Sequence, residues 1–139
     1  MIILDTNVIS EPLKPSPNPA VMRWLDGQDP RTLFVTSITL AELLTGLEIM
    51  PGGRKRTALK QALRVQIVEL FEERTLPFSA DAASAFATAY ANSQAAGRRM
   101  SFADCAIAAI ALMHGFTLAT RNTSDFKGTD VKILDPWNA

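Results

Sequence analysis

The order of its apolar segments is the feature that most constrains how this chain folds. Short runs rich in β-branched and aromatic residues alternate with longer stretches in which apolar residues recur at helical spacing. The predicted order is strand, helix, strand, helix, helix, strand, helix, helix, strand, strand. Because helices separate most of the strands, we expect an α/β fold with a mostly parallel sheet and helical cover.

The predicted strands are short. The strands are residues 1–4, 33–36, 76–78, 116–119 and 131–134, and the helices are residues 20–27, 38–49, 54–71, 79–94 and 101–115. Pro77 cannot donate to a strand ladder, so the third strand is expected at an edge of the sheet. Four prolines between Glu11 and Pro19 predict a non-helical connection there.

The apolar patterns of two predicted helices indicate which of their residues are buried. In the helix at 54–71 the apolar side is expected to consist of Leu59, Leu63, Ile67 and Leu70. The helix at 101–115 has no polar residue from Cys105 to Met113, so it is expected to be buried nearly all round.

The bulk composition restricts the class of protein. A length of 139 residues predicts one domain spanning 1–139. Lysine plus arginine equals aspartate plus glutamate at 14 each, so any nucleic-acid site must rely on local positive charge. The single cysteine, Cys105, excludes an internal disulfide and favours a reducing compartment such as the cytoplasm. No apolar run approaches the roughly 18 residues of a membrane span, so no membrane association is expected.

Four acids lie beside apolar segments instead of in polar runs. They are Asp5, Glu42, Asp104 and Asp125. Each also has an ordinary explanation: turn chemistry for Asp5, an exposed helix face for Glu42, a capping box with Ser101 for Asp104, and loop composition for Asp125. Ile38 and Ile49 share the side of the helix that carries Glu42, so we expect that face to be covered.

The position of two of these acids relative to the strands favours a common site. Asp5 follows the first strand, and Asp125 follows the strand at 116–119. Ligands bind outside the carboxyl ends of strands in open α/β sheets. If these two strands are neighbours, their acidic loops meet at one crevice.

A cluster of four carboxylates needs protons or a cation. It contains six like-charge pairs, each costing about 1 kcal/mol at 4 Å in water and about 4 kcal/mol at an effective dielectric of 20. Oxygen ligands without histidine or cysteine select Mg²⁺, or Mn²⁺, over Zn²⁺. Mg²⁺ with one or two carboxylates suits phosphodiester chemistry.

Four ordered segments resemble the PIN-domain ribonucleases, most closely the VapC-type toxins of type II toxin-antitoxin pairs, including their FitB-like branch. The segments are Ile3-Leu4-Asp5-Thr6-Asn7, Glu42-Leu43, Ser101-Phe102-Ala103-Asp104 and Thr120-Arg121-Asn122-Thr123-Ser124-Asp125-Phe126. None is specific alone, but their order and spacing are. The likeness extends from Met1 to Asp135-Pro136-Trp137, and no member of the acidic set is missing.

The resemblance implies a three-layer α/β/α sandwich around a five-stranded, mostly parallel sheet. It implies an Mg²⁺-dependent endoribonuclease in which Asp5 and Asp104 are the main metal ligands. Glu42 then helps to hold a metal or its waters, and Asp125 completes the shell. The polar residues that would orient carboxylates or water are Thr6, Asn7, Thr120 and Asn122.

The resemblance also implies partners. These are an RNA substrate, a small cognate antitoxin whose tail lies in the groove, and a second copy in a homodimer. Candidate substrate-binding residues are Arg98 and Arg99, and Arg54 in the basic run 54–56, although a basic run at a helix start is usually a solvated face.

Other residues have ordinary interpretations. Cys105 is expected to be a small buried hydrophobe and His114 a helix-end cation. Trp24 and Phe34 are expected in the core.

Two other functions compete with a nuclease. A phosphoaspartyl protein with Asp5 as nucleophile would need adjacent acids or Asp-x-Asp, but positions 6 and 7 are Thr and Asn. A non-catalytic RNA-binding or adaptor module with a PIN fold would be indicated by lost acids, and all four are present.

Overall fold

A five-stranded sheet in which all neighbouring strands are parallel forms the centre of the computed structural model, which describes residues 1–139. Its strands are β1 (Ile2–Leu4), β2 (Leu33–Thr36), β3 (Thr75–Leu76), β4 (Thr117–Ala119) and β5 (Ile133–Leu134). The order across the sheet is β3-β2-β1-β4-β5, which places β1 in the middle. The predicted α/β fold with a parallel sheet is confirmed.

Helices cover both faces of the sheet. They are α1 (Thr6–Ile9), α2 (Pro19–Asp26), α3 (Ser37–Ile49), α4 (Arg54–Leu63), α5 (Ala80–Ala95) and α6 (Phe102–His114). Because side chains alternate along a strand, Ile3 packs with α5 and α6, whereas Leu4 packs with α3 and α4. The result is a three-layer sandwich with two apolar clusters, and none of its helices combines the length and hydropathy needed to cross a membrane.

Helix α6 is buried as its sequence predicts except in its last turn, where Leu112 is partly buried and Met113 is exposed. Every residue from Cys105 to Ala111 is buried. The Ser101 hydroxyl accepts the backbone N–H of Asp104 at the start of the helix, and Gly115 ends it in the left-handed conformation at φ 69°. This rigid central helix fixes where Asp104 lies.

The two segments for which prolines led to a prediction, residues 11–19 and 76–78, behave largely as expected. Strand β3 ends before Pro77 and lies at the edge of the sheet. The connection from Glu11 to Pro19 contains no α-helix before Pro19, but Glu11–Leu13 forms a 3-10 turn, so the prediction of a wholly non-helical connection was wrong there. Pro12 fits this turn because it lies in its first positions, where an N–H has no helical partner.

The helix predicted at 54–71 differs from the expectation at its C-terminal end. Helix α4 ends at Leu63, and a π-helical segment follows at Arg64–Glu69. The wider π turn rotates the residues after it relative to an α-helix. Phe71 is therefore buried, whereas Leu70 is 57% exposed, and the prediction that Leu70 belongs to the buried side was wrong.

Candidate active site

Asp5 lies at the carboxyl end of the central strand, where the chain turns into α1. It caps that helix, since its Oδ1 accepts the Thr6 N–H at 2.8 Å. Its Oδ2 accepts the Thr120 hydroxyl at 2.7 Å and the Asn7 side-chain amide at 3.4 Å. The residue is only 4% exposed, so this carboxylate is buried and held on three sides.

The loops after β1 and β4 form one polar unit. The two strands are neighbours, as the sequence argument for a shared crevice requires. The Thr120 hydroxyl accepts the Asn122 N–H at 3.1 Å, which directs the hydroxyl proton to Asp5. The Arg121 N–H donates to Asn7 Oδ1 at 3.2 Å. Thr120 and Asn7 thus orient Asp5, while Asn122 contributes through its backbone.

Asp104 lies in the first turn of α6 and is partly buried. Burial is the main cause that raises its pKa, and the carboxylates of Asp5, Asp125 and Glu42 raise the pKa further. The Ser101 hydroxyl acts in the opposite direction. Asp104 therefore lies within electrostatic range of the other three predicted acids.

Glu42 lies on an exposed part of α3 and accepts the Thr6 hydroxyl at 2.7 Å. The expectation that its helix face is covered was wrong, because Ile49 is 80% exposed and only Ile38 packs against the core.

Two buried threonines that the sequence argument missed support this part of the site. Thr39 Oγ1 lies 3.2 Å from Thr6 Oγ1, and Thr36 caps α3 by accepting the Thr39 N–H at 3.1 Å. Both threonines are fully buried. A signal was present, since Thr36, Thr39 and Glu42 recur every three residues and therefore lie along one side of the helix.

Asp125 lies in an exposed 3-10 turn, Thr123–Phe126, after β4. The buried ring of Phe126 anchors this turn to the core. Arg98 donates to the Ser124 carbonyl at 3.2 Å and so ties the turn to the segment before α6.

The acidic cluster has no basic counter-ion within the chain. The three ion pairs of the structure are Lys14–Glu11, Arg31–Asp29 and Arg56–Glu48, and none includes a residue of the cluster. Burial is also the main cause that raises the pKa of Asp5, against hydrogen bonds from Thr120, Thr6 and Asn7 that lower it, and the Asp125 carboxylate raises it further. A protein that gathers acids in this way has an obvious use for a cation.

Comparison with known proteins identifies the family. The sequence matches the PIN domain family over residues 2–132. This chain belongs to the PIN domain family. It is 43% identical to the VapC ribonuclease Y4jK of Sinorhizobium fredii, covering 99% of this chain and 98% of that protein. It is 41% identical to Toxin FitB of Neisseria gonorrhoeae, covering 99% of both proteins.

A solved structure agrees with these relatives. The crystal structure of FitAcB from Neisseria gonorrhoeae superimposes with a TM-score of 0.94 and 40% identity over 100% of both chains. The likeness to VapC and FitB proteins that the four motifs predicted is confirmed, and so is the PIN-like sandwich.

The donor set of this PIN domain fits a hard divalent cation that keeps water ligands. No three histidine, cysteine, aspartate or glutamate side chains converge closely enough to hold an ion by themselves. Mg²⁺ typically uses one or two carboxylates and several waters, so a convergent protein cage is not required. Asp5 and Asp104 are the two desolvated carboxylates suited to direct ligation.

The predicted basic residues lie in two separate parts of the structure. Arg98 is hydrogen-bonded to the turn that contains Asp125, and Arg99, the next residue in the sequence, is exposed. Arg54 is exposed at the start of α4 and does not line the groove of about 810 Å³ between α3 and α4 that contains Glu42. Two lysines line that groove, Lys14, which pairs with Glu11, and Lys55. Lys55 is therefore a better candidate than Arg54 for contact with a ligand in that groove.

The residues given ordinary interpretations fit them. Cys105 is fully buried in the core, where burial raises its pKa. His114 lies in the last turn of α6. Trp24 and Phe34 pack against the two apolar clusters.

Proposed function

We propose that this PIN domain, spanning residues 1–139, is a metal-dependent endoribonuclease and the toxin of a toxin-antitoxin pair. The observation that carries the proposal is the gathering of Asp5, Glu42, Asp104 and Asp125 at one sheet edge without a basic partner. Like charges of this number are costly to hold together, and a function that binds a cation and phosphate explains why the fold retains them.

The residues would divide the work according to burial. Asp5 and Asp104 hold the ion directly, and Mg²⁺, or Mn²⁺ in its place, would supply an activated water and neutralise charge on the phosphodiester. Thr120 and Asn7 keep Asp5 aimed at the crevice. Thr6 holds Glu42, and the turn anchored by Phe126 holds Asp125, so that both acids can orient water ligands.

The chemistry of the ligands favours magnesium or manganese. The candidate ligands are all carboxylate oxygens, and the one cysteine and the one histidine both lie outside the cluster. Oxygen-only sites favour Mg²⁺ and Mn²⁺, whereas Zn²⁺ favours nitrogen and sulfur.

The partners we propose follow from the relatives and from the surface. The relatives include a ribonuclease and a toxin, which supports RNA as substrate and an antitoxin as inhibitor. The groove between α3 and α4 that contains Glu42 and Lys55 has room for an antitoxin segment. Exposed Leu44 and Ile49 on α3 support a homodimer contact. The single cysteine, which is unpaired, supports a cytoplasmic location.

The experiment is cleavage of mixed tRNA and rRNA by the purified chain in Mg²⁺, in Mn²⁺ and in EDTA, with both new ends mapped by sequencing. We expect discrete cuts that leave a 3′-hydroxyl, require the metal and disappear when Asp5 is replaced by Asn. Asp81→Asn is the matched control, since Asp81 is also an aspartate at the start of a helix but is exposed and outside the cluster.

The cleavage experiment and two further measurements, of RNA binding and of phosphate transfer, test the competing functions. Equal cleavage by wild type and Asp5→Asn, with both folded by circular dichroism, would contradict the proposed site. RNA binding without cleavage in either metal would support the non-catalytic PIN module instead. Transfer of phosphate to Asp5 from a small phosphodonor, detected by mass spectrometry, would support the phosphoaspartyl function.

A further inference from the structure

One phenylalanine differs from all the others in its exposure. Of the seven phenylalanines in the sequence, only Phe102 is exposed, with 63% of its surface accessible. It opens α6, two residues before Asp104. An aromatic ring with most of its surface in solvent contributes less to the core than a buried one, so its presence at this end of α6 needs another explanation.

Other aromatic rings hold the Phe102 side chain in place. Its ring centroid lies 5.1 Å from that of Phe86 and 6.0 Å from that of Phe78. Phe86 in turn stacks on Tyr90, with the two rings 6.2 Å apart and 9° from parallel. Tyr90 is 41% exposed, so the row from Phe102 to Tyr90 presents aromatic surface along α5 and α6. A ring held by such neighbours binds a partner with a small loss of side-chain entropy.

Positive charge precedes this ring in the sequence. Arg98 and Arg99 are exposed and lie in the same short segment that leads into α6, and Arg98 is tied to the turn of Asp125. Arginines close to an exposed aromatic ring match a single-stranded nucleic acid, whose phosphates need cations and whose bases stack on aromatic faces. An aliphatic protein partner would not require these arginines.

The geometry of α6 places the ring at the same end of the helix as Asp104 but on nearly the opposite side. Successive residues of a helix are about 100° apart, so Phe102 and Asp104 point in directions about 200° apart at the same end of α6. If the phosphate of one nucleotide lies at the acids, the base that contacts the ring therefore belongs to a neighbouring nucleotide.

We propose that Phe102 is a stacking platform for an unpaired base adjacent to the cleaved phosphate, with Arg98 and Arg99 contacting the flanking phosphates. The inference rests on the proposed ribonuclease function and makes it more specific. The preferred substrate is single-stranded at the cut, because a base in a duplex is already stacked and cannot reach the ring. Stacking on any base is possible, so the platform selects for strand state more than for sequence.

The first test measures binding without cleavage. Anisotropy of a fluorescein-labelled 12-nucleotide single-stranded RNA is recorded in EDTA for wild type, Phe102→Ala, Phe102→Leu and Phe102→Trp. We expect Phe102→Ala and Phe102→Leu to bind roughly 5- to 150-fold more weakly and Phe102→Trp to bind like wild type. Leu70→Ala is the control, since Leu70 is similarly exposed but lies beyond the π-helical segment.

The second test is a double-mutant cycle on cleavage. The substrate is cut by wild type and Phe102→Ala, once with all bases present and once with single abasic sites on either side of the mapped cut. We expect one abasic position at which the Phe102→Ala effect disappears, since both changes remove the same contact. The loss should appear mainly in KM, and Asp5→Asn should instead abolish turnover.

The outcomes separate the two proposals. If wild type cuts no RNA but the binding losses appear, the nuclease proposal fails and the platform stands. If wild type cuts and Phe102→Ala and Phe102→Leu match it in binding and cleavage, the platform is wrong. A change in oligomeric state of Phe102→Ala by light scattering, with unchanged RNA binding per protomer, would also overturn it, because the ring would then belong to a contact between copies.

Discussion

The four carboxylates form two regions that differ in how the fold treats them. Asp5 and Asp104, the inner pair, are at least partly buried, and burial raises the pKa of each. Glu42 and Asp125, the outer pair, are exposed. Asp5 alone accepts three hydrogen bonds, whereas Glu42 accepts one. The fold thus accepts a larger desolvation cost for the inner pair than for the outer pair. This difference supports the proposal that the inner pair holds the ion and the outer pair orients water.

The strongest way to break this comparison is to neutralise one acid of each pair. We expect Asp5→Asn to reduce RNA cleavage by more than about 100-fold, since a direct metal ligand contributes several kcal/mol to the transition state. Asp104→Asn should behave in the same way. The measurement is the single-turnover rate at saturating RNA and Mg²⁺, with Asp81→Asn as control. A rate for Asp5→Asn within a few-fold of wild type would remove the distinction between the pairs.

Removal of the Thr120 hydroxyl, which donates to Asp5 of the inner pair, is expected to have the next largest effect on activity. Thr120→Val removes the 2.7 Å hydrogen bond to Asp5 with little change in shape. We expect a loss of about 10- to 100-fold in activity or Mg²⁺ affinity, which is typical of residues that orient metal ligands. Thr120→Ser keeps the hydroxyl and should restore most of the activity. A loss in the Ser variant with little loss in the Val variant would instead point to packing of the buried methyl group.

The inner region was predictable from the sequence because it follows from periodicity and strand ends. Asp5 and Thr120 come directly after β1 and β4, and parallel neighbouring strands must present such residues at the same edge. Asp104 was predictable because the helix after it has no polar residue and had to be central.

The outer region was less predictable because exposure depends on what the rest of the chain leaves uncovered. The periodicity of α3 indicated the side on which Glu42 lies, but not that Ile49 on that side is exposed. The burial of Phe71 in place of Leu70 depends on a π-helical segment that changes the phase of the apolar pattern. Neither feature is encoded in local spacing, since both follow from tertiary packing.

The outer pair should tolerate substitution better than the inner pair. We expect Glu42→Gln and Asp125→Asn each to lower cleavage by up to about tenfold, because solvent can replace part of what an exposed carboxylate does for a water ligand. Mg²⁺ titrations of the cleavage rate measure this effect. Losses as large as that of Asp5→Asn would show that exposure is a poor guide to function at this site.

The smallest expected effect is on the pH dependence of stability without metal. Because the folded-state pKa of Asp5 is raised, its protonated form stabilises the fold fully below the unfolded pKa of about 3.9, and this contribution is lost as pH rises through the folded pKa. Glu11, whose pKa is lowered mainly by its hydrogen bond with Lys14, acts in the opposite direction, so absolute profiles mix several groups. The difference between the stability profiles of wild type and Asp5→Asn isolates the contribution of the Asp5 carboxyl group.

The measurement is thermal unfolding of both proteins in EDTA between pH 4 and pH 8, followed by addition of Mg²⁺ at the upper end. We expect the Tm of Asp5→Asn to rise relative to wild type as pH increases, because the variant buries an amide where wild type must bury a charge. Mg²⁺ should then raise the Tm of wild type but not that of the variant, since only wild type retains the ligand. Parallel pH profiles would mean that the Asp5 carboxylate costs the fold nothing, and the contrast between inner and outer acids would then lie in geometry and not in desolvation.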